Sequence, residues 1–168
     1  MMKLMAASDI HGSAKWCRAL LAAFEREAPD KLLLLGDILY HGPRNDLPEE
    51  YSPREVIAML NPLAERILCV RGNCEAEVDQ MVLDFPCLAD YCLLFLGGRD
   101  IVAAHGHREH PRPNPGGVLL TGHTHVTLDV WENGYRHLNP GSVSLPKQDT
   151  PRGYILMDDQ GGIEFKTL

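Results

Sequence analysis

Five short segments rich in metal-binding side chains recur along the chain: Asp9-Ile10-His11, Gly36-Asp37, Gly72-Asn73, His105-Gly106-His107 and Gly122-His123-Thr124-His125. Most follow an apolar run that reads as a β-strand. This alternation constrains the fold, because donors so far apart in sequence can meet only if the strands end along one common edge. Asp9, Asp37 and Asn73 follow three such strands in the first half and can converge there without long-range movement. Asp9 and His11 are two residues apart, as are His123 and His125, so an extended backbone would turn each pair to one side.

Between the segments the periodicity alternates. Lys3 to Ser8 reads as a buried strand, and Gly12-Ser13 turns into a helix over Ser13 to Glu27. Trp16, Leu20 and Phe24, at steps of four, give that helix one core-facing side. Lys31 to Leu35 is an interior strand and Tyr40 to Ser52 a loop. Pro53 opens a second helix with a stripe of Val56, Ile57, Leu60 and Leu63. A third strand at Arg66 to Arg71 and a short helix over Glu75 to Leu83 complete a strand–helix alternation, which favours a parallel sheet. In the second half, Gly97-Gly98, Asn133-Gly134 and Asp158 to Gly162 are hairpin turns, so antiparallel pairing should dominate. Both halves fit one α/β domain over residues 1–168, a two-sheet β-sandwich core flanked by helices.

The segments supply two carboxylates, one carboxamide and four or five imidazoles, too many donors for one ion and a sensible number for two. Mixed oxygen and nitrogen donors suit Mn, Fe, Co, Ni or Zn better than Ca or Mg. The charge of two divalent ions exceeds that of Asp9 and Asp37, and the remainder balances a hydroxide and a singly charged phosphodiester. Two ions sharing a carboxylate are an arrangement that hydrolyses phosphate esters.

With 168 residues, a hydrophobic share of 45% and a charged share of 23%, the composition is that of an ordinary soluble domain. The net charge of −7 argues against long nucleic acids and anionic membranes as partners, though metals would reverse the field locally. No apolar stretch is long enough to span a membrane, and acidic Asp9 follows the start too closely for a secretion signal. Cys17, Cys69, Cys74, Cys87 and Cys92 form no Cys-x-x-Cys pair, which points to a reducing cytoplasm.

The chain resembles the calcineurin-like metallophosphoesterase superfamily, in particular its small bacterial phosphodiesterase branch, from Met1 to about Lys147. The resemblance is carried by Ser8-Asp9-Ile10-His11-Gly12, Gly36-Asp37-Ile38-Leu39, His41-Gly42-Pro43-Arg44-Asn45, Val70-Arg71-Gly72-Asn73-Cys74, Gly122-His123-Thr124-His125 and Asn139-Pro140-Gly141-Ser142-Val143. It implies a four-layer α/β/β/α fold and hydrolysis of small phosphodiesters by two divalent transition ions, Mn²⁺ foremost. Asp9, His11 and His125 would hold the first ion, Asn73, His105 and His123 the second, and Asp37 would bridge them. A water acidified by both ions would attack phosphorus in line.

Many superfamily members carry a proton-donating histidine where this chain has Cys74. A thiol is a poor donor to a leaving alkoxide, so substrates with acidic leaving groups such as aryl esters are expected. His41, His107 and His110 are alternative acids, and His107 is equally open to a distal ligand role. Arg44 and Arg71 are candidates to steady a substrate phosphate, and Asn139 to Ser142 either orients a ligand or makes a tight turn. The short loop from His107 to Gly117 offers little lid. Runner-up functions are a phosphomonoesterase, a nuclease and a non-catalytic protein-binding scaffold. Family resemblance also raises a homo-oligomer. The physiological substrate is not encoded in any motif.

Overall fold

A computed structural model describes residues 1–168. Strands β1 (Lys3–Ala7), β2 (Lys31–Leu34) and β3 (Ile67–Cys69) lie parallel in that order, as the strand–helix alternation requires. On the other side of β1, β9 (Gly153–Asp158) pairs antiparallel, and β10 (Ile163–Thr167) pairs with β9, giving the sheet β10-β9-β1-β2-β3. Helix α1 (Ala14–Glu27) connects β1 to β2. The Ser13 hydroxyl accepts from the Trp16 N–H, and Ala28 closes the helix in the left-handed region at φ 47°.

Leu20 and Phe24 are buried against this sheet as the periodicity predicts. Trp16 is not. It lies half-buried at the rim, under the Arg152 guanidinium at 4.2 Å, with its indole N–H donating to Glu49. Helix α2 (Pro53–Leu60) buries Val56 and Leu60, while Ile57 and Leu63 are only partly covered. It stops because Pro62 cannot continue an α-helix, and the chain tightens into a 3₁₀ turn at Asn61–Arg66. Helix α3 (Glu77–Gln80) is shorter than the predicted Glu75 to Leu83. The Asp79 carboxylate caps the Ala76 N–H at its start, and the Gln80 amide holds the Leu83 and Phe85 carbonyls after its end.

The second sheet has the order β4-β5-β6-β8-β7. The Gly97-Gly98 turn joins β4 (Tyr91–Leu96) to β5 (Arg99–Ala104), and Asn133-Gly134 joins β7 (Thr127–Glu132) to β8 (Tyr135–Pro140). Antiparallel pairing is the more extensive in this half, as expected, in β4–β5, β7–β8 and β9–β10, but it is not universal. The middle strands β5, β6 (Val118–Leu120) and β8 run parallel. That direction brings the ends of β5 and β6, and hence His105 and His123, to the edge where β1, β2 and β3 also end.

The two sheets close on Leu4, Ala6, Leu33 and Leu35 from one side and Ile101, Ala103, Val118, Leu120 and Leu138 from the other. Helices α1 and α2 form the outer layer over the first sheet. Beside the second sheet, the proline-rich stretch Pro111 to Asn114 lies next to Leu93 and Val102, with Pro113 buried. No helix is long and apolar enough to cross a membrane.

Candidate metal centre

Asp9, His11, Asp37, Asn73, His105, His123 and His125 converge at the common strand edge. The inner group is buried: Asp9 Oδ1 lies 3.4 Å from His11 Nε2 and 3.2 Å from His125 Nε2, and the two imidazole nitrogens are 3.1 Å apart. Asp37 Oδ2 stands between the groups, 3.7 Å from His11 Nε2 and 3.4 Å from His105 Nε2. In the outer group, Asn73 Oδ1 is 3.1 Å from His105 Nε2 and 2.8 Å from His123 Nδ1. Asn73 is exposed and His123 half-exposed, so this side opens to solvent.

Backbone geometry brings these groups together by a route the spacing did not foretell. Asp9 and His11 are not in extended chain: their φ angles are 58° and 50°, and those of Asp37, His123 and His125 are 55°, 69° and 60°. Each is a left-handed turn just beyond a strand. Packing between the turns leaves no room for side chains at Gly12, Gly36, Gly72 and Gly122. A Cβ on Gly72 would meet the Asp37 carboxylate, and one on Gly122 would meet the Ser8 hydroxyl.

Polar contacts fix the turns. Ser8 Oγ donates to Asp9 Oδ2 at 2.5 Å, and the His123 N–H donates to the same oxygen at 3.0 Å. The Asn139 to Ser142 stretch orients the centre: Ser142 Oγ donates to the Asp9 carbonyl at 2.7 Å, and Asn139 Nδ2 to the Gly122 carbonyl at 2.7 Å. Glu75, which the motif reading passed over, is buried beneath Asp37. Its carboxylate accepts the Asp37, Ile38 and Gly72 N–H groups at 2.9, 2.7 and 2.5 Å, tying the β2 and β3 turns together. Burial and the Asp37 charge raise its pKa to about 7.

The donor set fits metal ions. His11 Nδ1 donates to the Tyr40 carbonyl, His105 Nδ1 to that of Leu35 and His125 Nδ1 to that of Leu145. With Nδ1 protonated, each neutral ring presents an Nε2 lone pair inward, toward carboxylate oxygens that are also acceptors. Asp9 Oδ1 is buried and receives no hydrogen bond. Acceptors facing acceptors in a buried site call for cations between them, protons in the metal-free protein or metal ions in their place.

Other predicted residues distribute unevenly. Cys74 lines the cleft over the centre, its N–H donating to Asp37 Oδ1 at 2.9 Å. Burial, with the Asp37 and Glu75 charges, pushes its thiol well above the ordinary range. His107 stacks near the outer group, its ring centroid 5.3 Å from that of His105 and 6.1 Å from that of His123. Arg44 lines the cleft. Arg71 does not: its Nε donates to the Glu75 carbonyl, so it braces the turn instead of facing a substrate. His41 is stacked between Tyr40 and Tyr51, and His110 Nδ1 donates to the Pro111 carbonyl; neither lines the cleft. Lys147, which no motif flagged, does line it.

Residues 2–162 match the model of the calcineurin-like phosphoesterase superfamily domain. The phosphodiesterase YfcE of Escherichia coli (strain K12) is 44% identical over 163 residues, covering 95% of this chain and 89% of that protein. A solved structure of that E. coli phosphoesterase superposes with a TM-score of 0.90 at 43% identity, covering 94% of this chain and 88% of the other. Vps29 of Entamoeba histolytica, solved in complex with Zn²⁺, shares the fold at a TM-score of 0.63 and 19% identity, covering 98% of this chain and 97% of its own.

Two expectations follow. Glu75→Ala would strand three buried N–H groups, so unfolding in urea should show a loss of about 3 kcal/mol, and metal affinity by calorimetry should fall about 10- to 100-fold. Unchanged affinity would rule out its bracing role. The second concerns protons. For His105, burial favours the neutral ring, but contacts with Asp37 and Asp9 outweigh it and hold the pKa at about 9 in the metal-free protein. A pKa raised on folding stabilises the metal-free fold below the ordinary 6.5, and that stability is lost as pH climbs through about 9. A ligand must be neutral, so Mn²⁺ binding at pH 7 should release protons, and affinity should rise toward pH 9. Identical binding heats in buffers of different ionisation enthalpy would contradict this.

Proposed function

Because the chain belongs to the calcineurin-like phosphoesterase superfamily, we propose that it is a metal-dependent phosphodiesterase acting on small phosphodiesters. The observation that carries the reading is Asp37 Oδ2, set between the Nε2 atoms of His11 and His105 where a shared ligand belongs. Asp9, His11 and His125 would hold one ion, Asn73, His105 and His123 the other, and Asp37 both. Two divalent transition ions, Mn²⁺ foremost, would supply Lewis acidity to polarise the phosphoryl group and acidify the attacking water.

The chain's own residues do the positioning. Ser8, Ser142, Asn139 and Glu75 hold the ligand turns in place before any substrate arrives. Arg44 offers a guanidinium for a phosphoryl oxygen at the cleft wall. The cleft is about 320 Å³, polar apart from Gly42, Pro43 and Cys74, and suited to a small anionic ester. The Cys74 thiol, held protonated by burial, is a weak acid beside the centre, and a leaving group must depart with little help from it. His107 lies beside the outer group, its ring centroid 5.3 Å from that of His105, but outside the cleft lining, which makes it the less favoured alternative donor. Five free thiols and an acidic balance suit a reducing cytoplasm. The complete donor set weighs against a non-catalytic scaffold.

Chelator-treated protein should not hydrolyse bis-p-nitrophenyl phosphate and should regain activity with Mn²⁺, with the bis ester preferred over p-nitrophenyl phosphate. Absence of metal-dependent turnover would remove the proposal; preference for the monoester would replace it with a phosphomonoesterase. Cys74→His should raise kcat on alkyl phosphodiesters about tenfold or more relative to aryl ones. An unchanged ratio would mean that the cysteine does not set leaving-group preference.

A further inference from the structure

Two cations line the cleft, Arg44 from the segment after β2 and Lys147 from the turn after β8. Neither has an acidic partner, although acids outnumber bases in the chain, 23 to 16. Most other cations are engaged: Lys15, Arg18, Arg26, Arg108, Arg136, Arg152 and Lys166 with carboxylates, and Lys3, Lys31, Arg66, Arg71 and Arg99 with backbone carbonyls. Arg54 and Arg112 are the other exceptions.

Lys147 is not on a loose loop. Its N–H donates to the His125 carbonyl at 3.0 Å, and Thr150 Oγ1 reaches that carbonyl at 3.3 Å and the Lys147 carbonyl at 2.8 Å. Just before it, the Leu145 carbonyl accepts from His125 Nδ1 at 2.6 Å. Just after it, Gln148 and Asp149 both take left-handed φ, 52° and 57°, a conformation side-chain-bearing residues rarely adopt in succession. Arg152 then closes the segment, donating to the Ser144 carbonyl at 3.2 Å and stacking on Trp16. The segment is thereby pinned to His125, and the root of an exposed, unpaired ammonium is fixed beside the centre.

We propose that Lys147 is a specificity-determining residue that selects phosphodiesters carrying a second anionic group, a carboxylate or a phosphate, on one ester arm. This rests on the phosphodiesterase reading above and deepens it. Arg44 and Lys147 reach the cleft on separate segments, and the reading above already assigns Arg44 to a phosphoryl oxygen. Lys147 is left for charge elsewhere on the substrate. No Phe, Tyr or Trp lines the cleft, so it offers no broad ring for a nucleobase to stack on, and charge is the handle that remains.

The test uses p-nitrophenyl alkyl phosphodiesters of equal length ending in carboxylate, phosphate, carboxamide or trimethylammonium, with Mn²⁺-loaded protein. All release the same phenolate, so leaving-group chemistry cancels. The carboxylate or phosphate ester should exceed the carboxamide about tenfold in kcat/KM, mainly through KM. The trimethylammonium ester should be poorest. Lys147→Met should bring the carboxylate-to-carboxamide ratio close to one, Lys147→Arg should retain it, and Lys147→Glu should shift preference to trimethylammonium. Because each ratio is taken within one variant, partial unfolding does not disturb it. Calorimetric binding of the matching carboxyalkyl phosphonate should weaken in Lys147→Met in the same proportion. Comparing the carboxylate and phosphate arms identifies which anion is preferred. A wild type without anionic preference, or a Lys147→Met variant that loses all four esters equally, overturns the proposal. Failure of wild type on every ester, bis-p-nitrophenyl phosphate included, would instead remove the underlying phosphodiesterase reading.

Discussion

Five of the seven converging donors sit on backbone that L-residues avoid. Asp9, His11, Asp37, His123 and His125 all have φ between 50° and 69°. Each such residue costs about 1–2 kcal/mol relative to right-handed backbone, and the cost is met locally. Asp9 is held at its carbonyl by Ser142 and at its carboxylate by Ser8, and Asp37 is held through its N–H by Glu75. The buried polar network around the centre therefore supports a strained backbone as well as orienting side chains. A sandwich of this kind folds around its apolar interior, but its ligand edge depends on these few contacts.

The topology explains why one edge can carry so many donors. Three parallel strands of the first sheet and two of the second end there, and each delivers its donors within a few residues of its last hydrogen bond. The result is graded in depth. Asp9, His11 and His125 are buried, whereas Asn73 and Thr124 are exposed beside the cleft. The floor of the site is thus fixed by the sandwich, and its mouth is shaped by the segments after β2 and β8.

Much of this was legible in the sequence because metal donors are uncommon and their order between apolar runs is informative. The converging donors, the parallel first half and the turns at Gly97-Gly98 and Asn133-Gly134 could be read directly. Other features lacked a readable signal. A spacing of two suggests extended chain and cannot distinguish it from paired left-handed turns. The parallel β5–β6–β8 arrangement was hidden because its β5-to-β6 crossover has no helical period, only prolines. Adjacency to Asn73 does not specify side-chain direction, so the sequence leaves open whether Arg71 faces the cleft or, as found, braces the turn at Glu75. Glu75 looked like an ordinary acid near a helix start, and its three buried N–H partners come from two turns distant in sequence. Lys147, an exposed lysine in a loop, has no pattern of its own.

The glycines at 72 and 122 carry a consequence for how such a protein can be altered. Interior positions such as Leu33 or Val118 meet their neighbours through side chains, and redesign can exchange one apolar shape for another there. At 72 and 122 the neighbour is the donor-bearing edge itself, and the smallest added methyl collides with it. Replacing glycine with alanine to stiffen this scaffold would press a methyl into that edge at these two positions. The interior is a matter of volume and is negotiable; the keying of one sheet to the other at Ser8 and Gly122 is a matter of contact and is not.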